Sequence, residues 1–247
     1  MSAPRAYGRD ALLETADAAA GVLAVCETLA DDMAELGMAR DKITVHYTGL
    51  DRDLFRPMDH VGLKKRLGES FGIPLAASDT VLVTVGALIE RKGQAFVIKA
   101  LADLPNARLL LVGAGADETS LRGLARQVGV ADRVHFLGSL EPALLPPILS
   151  AADAMVLPSA SEGLANAWIE ALACGTPIVI TDAGGAREVV TSPAAGVIVA
   201  RTCRAVHEGI EQVTRNPRPP QMVAATVERF SWTANAAALA AHYDAVA

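Results

Sequence analysis

Two carboxylates, Glu162 and Glu170, flank the run Gly163-Leu164-Ala165-Asn166, and this run lies between apolar stretches at 154–157 and 178–180. Pro158 closes the first stretch, so the order reads strand, turn, helix, strand. The helix is predicted to open near Gly163 and to close at Gly175, where a glycine commonly follows the last turn. A helix start at the carboxyl edge of a parallel sheet turns unpaired amides and a partial positive charge into a crevice, which suits a phosphate. Asn166 and Glu170 are four apart and share a predicted face with Gly163. Carboxylates accept hydrogen bonds from hydroxyls, as amides donate them to anions. Either glutamate alone reads as a solvated or ion-paired side chain; together, beside a helix start, they point to a ligand carrying both phosphate and hydroxyl groups.

A second glycine-bounded loop, Gly86 to Gly93, also follows an apolar run. Gly86 lets backbone approach a ligand, and Arg91-Lys92 would bring cationic heads towards phosphates at the Glu162 helix. Loops of this kind also serve as tight turns alone, so both readings stand; a lysine at a predicted helix start opposes the helix dipole, which favours binding. Gly113-Ala114-Gly115-Ala116-Asp117 approaches the dinucleotide fingerprint, but position 118 is Glu and the motif follows the second strand of its domain. A ligand turn and a structural turn remain equally open there. Gly184-Gly185-Ala186-Arg187-Glu188 offers another helix start, with Glu188 expected to pair with Arg187 rather than to enter the crevice. His46, His60, His135, His207 and His242 lack metal-ligand spacing, G-x-S-x-G is absent, and no side chain reads as a general base.

The elements that must position these groups follow from patterning. At 247 residues, 51% hydrophobic but only 4% aromatic, the chain must build its core from aliphatic side chains. Short β-branched runs between Ala-rich stretches predict a parallel sheet covered by helices. Strands are expected at 81–85, 108–112, 133–136, 154–157, 177–181 and 196–199. Helices are expected at 92–104, 117–128, 147–152, 163–175, 184–190 and 204–215. Right-handed crossovers make this a doubly wound α/β domain with a six-stranded parallel sheet. Before it, a helix at 10–20, a strand at 22–26, a helix at 27–36 and a strand at 43–47 form α/β units too small to stand alone. Residues 53–70 read as a polar connection, and Ser231 as the N-cap of a last helix at 232–246.

The net charge of −6 argues against nucleic acid or an anionic membrane as the main partner. Cys26, Cys174 and Cys203 form neither a disulfide pattern nor a zinc site, in keeping with reduced thiols in a cytosolic protein. The first residues lack a basic stretch followed by an apolar one, so no signal peptide is expected, and no apolar run reaches the roughly 20 residues that span a bilayer. The expected location is cytoplasmic, with peripheral residence at the inner membrane as the alternative.

Seven short segments in order resemble a known family: Gly86 with Arg91-Lys92-Gly93; Ala107 to Gly113; Asp132 to Gly138; Ala152-Asp153 with Leu157-Pro158-Ser159; Glu162-Gly163 with Glu170 to Pro177; Gly184-Gly185 with Glu188-Val189-Val190; and Arg229-Phe230-Ser231-Trp232. They resemble the C-terminal half of family 4 retaining glycosyltransferases of the GT-B type, preceded by the tail of the N-terminal half. The resemblance implies a nucleotide-diphospho-sugar donor bound without cofactor or metal. It implies that Glu170 holds ribose hydroxyls, that Glu162 contacts the donor sugar or the face on which positive charge develops, and that Lys92, with Arg91, neutralises the diphosphate, so that Glu162 and Lys92 are the catalytic pair. Amides of Leu164, Ala165 and Asn166 would bind phosphate and sugar oxygens, Gly86 would approach the donor, and the backbone at Phe136, Leu137 and Gly138 would meet the base. Three positions depart from the family pattern: Ala87 where many members have Arg, Leu164 where an aromatic is common, and Thr48 in place of Asn.

On this reading residues 1–56 are a remnant of an N-terminal acceptor domain, 57–79 a linker, 80–230 the donor domain and 231–247 a helix packing back. The expectation is a retaining glycosyltransferase acting on an unknown acceptor and needing an N-terminal half for activity, the chain being either truncated or completed by another chain that supplies that half. Uncovered apolar surface at 10–47 and along the last helix would then favour self-association. The alternative is a non-catalytic nucleotide-sugar binding or regulatory module. An epimerase or phosphorylase of the same architecture would need acid–base residues or a cofactor lysine that the sequence does not supply.

Overall fold

The computed structural model describes residues 6–59 and 62–246; His60 lies outside them, as do the first residues of the expected remnant. Helix α1 (Ala6–Ala18) leads into β1 (Val22–Ala24), α2 (Glu27–Leu36) and β2 (Ile43–Val45). The two strands pair parallel, Val22 opposite Ile43, over a small cluster of Ala24, Ala30 and Ile43. Both are shorter than expected. The predicted connection at 53–70 contains a helix, α3 (Leu63–Phe71), which its polar composition concealed. Leu63 and Leu67, one turn apart, are its buried positions, and Gly68 packs so closely that a Cβ would lie 2.6 Å from the Ile73 carbonyl oxygen.

The main sheet then builds through β3 (Thr80–Val85), α4 (Gln94–Ala100), β4 (Ala107–Val112), α5 (Glu118–Gln127), β5 (Val134–Gly138), α6 (Leu145–Ala151), β6 (Ala154–Leu157), α7 (Asn166–Ala173), β7 (Ile178–Thr181), α8 (Ala186–Val189), β8 (Gly196–Val199) and α9 (Cys203–Arg215). Helices α10 (Pro220–Ala225), not expected from the sequence, and α11 (Trp232–Val246) complete the chain. The strand order is β5-β4-β3-β6-β7-β8 and every pairing is parallel, so the chain reverses its direction of winding between β3 and β6.

Alternation along the strands divides the core into two layers. Val81, Val83, Leu110, Val112, Met155, Leu157, Ile178 and Ile180 face one side, with Leu63 and Leu67 of α3, Ile148 and Leu149 of α6 and Trp168, Ile169 and Leu172 of α7. Leu82, Leu109, Leu111, Ala154, Val156 and Val179 face the other, against α4, α5 and α9. Cys26, Leu50 and Phe55, from the segment before the main sheet, belong to the first layer. The N-terminal unit is thereby anchored to the larger domain through burial. Asn235 of α11 donates to the Tyr47 carbonyl at 2.7 Å, and the Trp232 ring lies against Gly49.

Candidate functional site

In an open parallel sheet the crevice lies beyond the carboxyl ends of the strands where winding reverses. Here those ends belong to β3 and β6, followed by the loops 86–93 and 158–165. The loops are stitched together by main chain. The Ala160 amide donates to the Arg91 carbonyl at 2.7 Å, and Gly93 (φ 76°) sits so near Pro158 that a Cβ would stand 2.3 Å from its carbonyl oxygen. Arg201, just past β8, donates to Pro158 O at 3.0 Å and Glu90 O at 2.8 Å while its guanidinium lies 4.9 Å from the Phe96 ring centroid. Sequence reading passed over Arg201; its place after the last strand, at the same sheet edge as the two loops, was the available signal.

Across this junction Lys92 Nζ donates to Glu162 Oε1 at 2.6 Å. The lysine and glutamate side chains are 14% and 7% exposed, so the pair is largely withdrawn from water. Arg91 adds an Nη1–Oε2 separation of 3.6 Å, half-exposed, and donates to the Ser161 carbonyl. Lys92 ends a 3₁₀ turn at Glu90–Lys92 and does not begin a long helix; Gly93 in the left-handed region separates it from α4. The unfavourable dipole assigned to it by the sequence is therefore absent. An ammonium has three donors, and Glu162 takes one, so among the described residues Lys92 keeps capacity for a second anion.

The predicted helix start at Gly163 is displaced to Asn166, because the backbone before it is engaged elsewhere. Gly163 O accepts from the Gly185 amide at 2.8 Å, and Leu164 is buried in the core layer in contact distance of Gly185. Residues 163–165 consequently remain outside the helix, and Gly163 does not share a helical face with Asn166 and Glu170. The α7 N-terminus has no side-chain cap, and its first amide bond described is Trp168 to Ala165 O. Among the described residues the amides of Leu164, Ala165 and Asn166 have no protein acceptor. The helix ends as expected: Thr176 N bonds Ala171 O at 2.9 Å with Gly175 left-handed at φ 85°.

Asn166 and Glu170 instead border a cavity of about 210 Å³, closed on its far side by Gly49 to Asp51, Pro142 and Trp232. Burial raises the pKa of Glu170 above the ordinary carboxylate value. Gly86 (φ 151°) packs against Gly113, where a Cβ would fall 2.1 Å from Gly86 O, and Gly115 packs likewise on Leu88 O. The Gly113-Ala114-Gly115 turn thus serves close loop packing. Phe136, Leu137 and Gly138 are not brought against Lys92 or Glu162. They end β5, two strands from β3, roughly 10 Å along the sheet. Phe136 is covered by Arg122 at 4.0 Å, and Gly138 O accepts from Gly113. The Ala87 carbonyl accepts from Gln94, and its small side chain is exposed.

The expected Glu188–Arg187 pair does not form. Arg187 binds Asp182 at 2.6 Å, while the Glu188 carboxylate takes the Glu27 amide at 3.0 Å and the Tyr47 hydroxyl at 2.7 Å. The spacing of neighbours could not show this, because both partners lie in the N-terminal unit.

Residues 66–229 match the family described as glycosyl transferases group 1. The chain is similar to a D-inositol 3-phosphate glycosyltransferase of Mycobacteroides abscessus, 35% identical over 163 residues covering 64% of this chain and 35% of that protein. It is also similar to D-inositol 3-phosphate glycosyltransferase 2 of Catenulispora acidiphila, 32% identical over 97% of this chain and 58% of that one. The chain therefore spans about one third to three fifths of these curated relatives. Its fold matches Anabaena HepE, crystallised in complex with UDP and glucose, at a TM-score of 0.86 and 23% identity over 96% of this chain and 67% of that one. Sucrose-phosphate synthase of Thermosynechococcus elongatus matches at 0.80 and 25% identity, over 91% of this chain and 58% of that one.

Proposed function

Because the chain belongs to the glycosyl transferases group 1 family, we propose that the crevice between β3 and β6 binds a nucleotide-diphospho-sugar and that the sugar passes from it to an acceptor with retention of anomeric configuration. Lys92 bonded to Glu162 across the winding reversal, beside the uncapped start of α7, carries this reading. The diphosphate meets the amides of Leu164, Ala165 and Asn166 and shares Lys92 with Glu162. Glu162 faces the sugar, Glu170 accepts from ribose hydroxyls, and the main chain at 136–138 lies along the base. When the anomeric carbon–oxygen bond breaks, the nucleoside diphosphate leaves with the electron pair, and donors fixed beforehand stabilise the charge that gathers on it. Lys92 and the helix amides carry that load in place of a metal ion. The acceptor hydroxyl oxygen bonds the carbon on the face the diphosphate leaves, its proton passes to the departing diphosphate oxygen, and transfer needs an acceptor side facing the crevice.

Titration calorimetry with UDP-glucose and with GDP-mannose tests the donor site. Binding of one of them that is lost in Glu170→Ala and Lys92→Ala supports the assignment; equal affinity in wild type and both variants refutes it. Ala87, in place of the cation many members carry, favours a second reading as a nucleotide-sugar binding module without transfer. Donor turnover measured alone and with a candidate acceptor-side polypeptide separates the two.

A further inference from the structure

The turn 184–188 is held from two sides. On one, Glu188 accepts from the Glu27 amide at 3.0 and 3.2 Å, at the start of α2, and from the Tyr47 hydroxyl at 2.7 Å. Thr28 Oγ1 adds a bond to Gly184 O at 3.0 Å, so three residues of the N-terminal unit grip one turn. On the other side, the Gly185 amide donates to Gly163 O at 2.8 Å. Gly184 is pressed so tightly on the loop that a Cβ would stand 2.2 Å from Gly163 O and 2.3 Å from Glu162 O. Val25 reaches Gly163 directly, and Cys26 and Leu164 meet at Gly185. Arg229 closes the arrangement, donating to Glu188 O at 2.7 Å while stacking 4.7 Å from the Tyr47 centroid. A carboxylate on a helix's first amide and on a phenol makes two charge-assisted bonds, each stronger than a neutral one.

We propose that Glu188, through Tyr47 and the first turn of α2, is a positioning residue that sets the loop carrying Glu162, and thereby the sugar end of the donor pocket. Neither Glu188 nor Tyr47 touches Lys92 or Glu170, so the nucleotide end lies outside their reach. This inference rests on the donor-site assignment above. The physical consequence is selectivity of effect: loosening the tether lets Glu162 and Gly163, the residues that Gly184 and Gly185 press on, relax away from the sugar, while Leu164 stays in the core and the diphosphate keeps the amides at 164–166 and Lys92.

The test compares nucleotide with nucleotide-sugar. Wild type, Tyr47→Phe, Glu188→Gln and Glu170→Ala are titrated with UDP and UDP-glucose, and with GDP and GDP-mannose. Tyr47→Phe retains the ring that packs on Phe230 and Arg229, so it keeps the fold if Glu188→Gln does not. The expected result is a loss of about tenfold in nucleotide-sugar affinity in Tyr47→Phe and Glu188→Gln, with affinity for the bare nucleoside diphosphate within about twofold of wild type. Equal losses for both ligands would reduce the contact to a structural one and overturn the proposal, as would no loss for either. If Glu170→Ala also leaves every affinity unchanged, the donor-site assignment itself falls; if Glu170→Ala abolishes binding while the tether variants behave as wild type, the tether alone falls.

Discussion

Removing Lys92 tests whether the bond across the winding reversal is a desolvated ion pair or a surface contact. Lys92→Met keeps most of the side-chain volume and strands Glu162 at 7% exposure on a short stem. Deleting one partner of a buried pair costs about 3–5 kcal/mol. The lower figure applies here, since Arg91 remains 3.6 Å from the other carboxylate oxygen. A cost of about 3 kcal/mol in a chain of this size lowers Tm by roughly 6–12 °C. Glu162→Leu should cost less, about 1–2 kcal/mol, because a flexible lysine stem can carry its ammonium back to water. The double variant should recover much of the sum, giving a coupling of about 2 kcal/mol in the cycle. Urea unfolding of the four proteins reads these values from midpoints at constant m. If each single variant lies within about 0.5 kcal/mol of wild type and the coupling is nil, water screens the pair, and the reasoning that it preorganises a dry site is wrong.

Gly184→Ala should destabilise by about 2 kcal/mol or more and weaken nucleotide-sugar binding, since φ is 52° and the added Cβ meets two carbonyls; a wild-type melting curve would contradict the close packing. Burial raises the Glu170 pKa in the folded state, so stability falls as pH rises from its ordinary value of 4.5 towards the raised one. Glu170→Gln should flatten that part of the pH–stability curve, and parallel curves for the two proteins would exclude a titrating Glu170. Ala87 is exposed at the edge of the site, so Ala87→Arg should raise affinity for UDP or GDP by about tenfold in calorimetry. An unchanged constant would place residue 87 outside the diphosphate's reach.

The main sheet was legible because each strand is a short apolar run, four of the six closed by glycine or proline, and six such runs separated by helices leave one economical topology. That Lys92 and Glu162 would meet was legible for the same reason: loops after β3 and β6 must meet, whatever their side chains. Helix α3 was not, since only Leu63 and Leu67 mark its buried face among Lys, Arg and Glu. The helix start at 163 was misplaced because tertiary contacts with Gly184 and Gly185 override local propensity there. Glu188 was misassigned to its neighbour Arg187, since local spacing contains no trace of Tyr47 or of the α2 terminus.

Charge accounting explains why such a site can exist in a chain of net charge −6. Before any ligand arrives, Glu162 and Lys92 already neutralise each other, and Arg91 leans on the same carboxylate. The crevice therefore offers an anion little net positive charge at long range. What it offers is local: uncapped amides at α7 and spare donors on Lys92, fixed in place by the loops that Arg201, Gly93 and Gly184 hold together. Fixed dipoles need no reorganisation when charge appears, and they act most strongly where water is scarce. The pair at the reversal is thus a poor means of stabilising a fold, which apolar side chains of the same volume could do as well. It keeps an acid and a cation side by side at one point, and in the proposed reaction one turns to a sugar and the other to its leaving group.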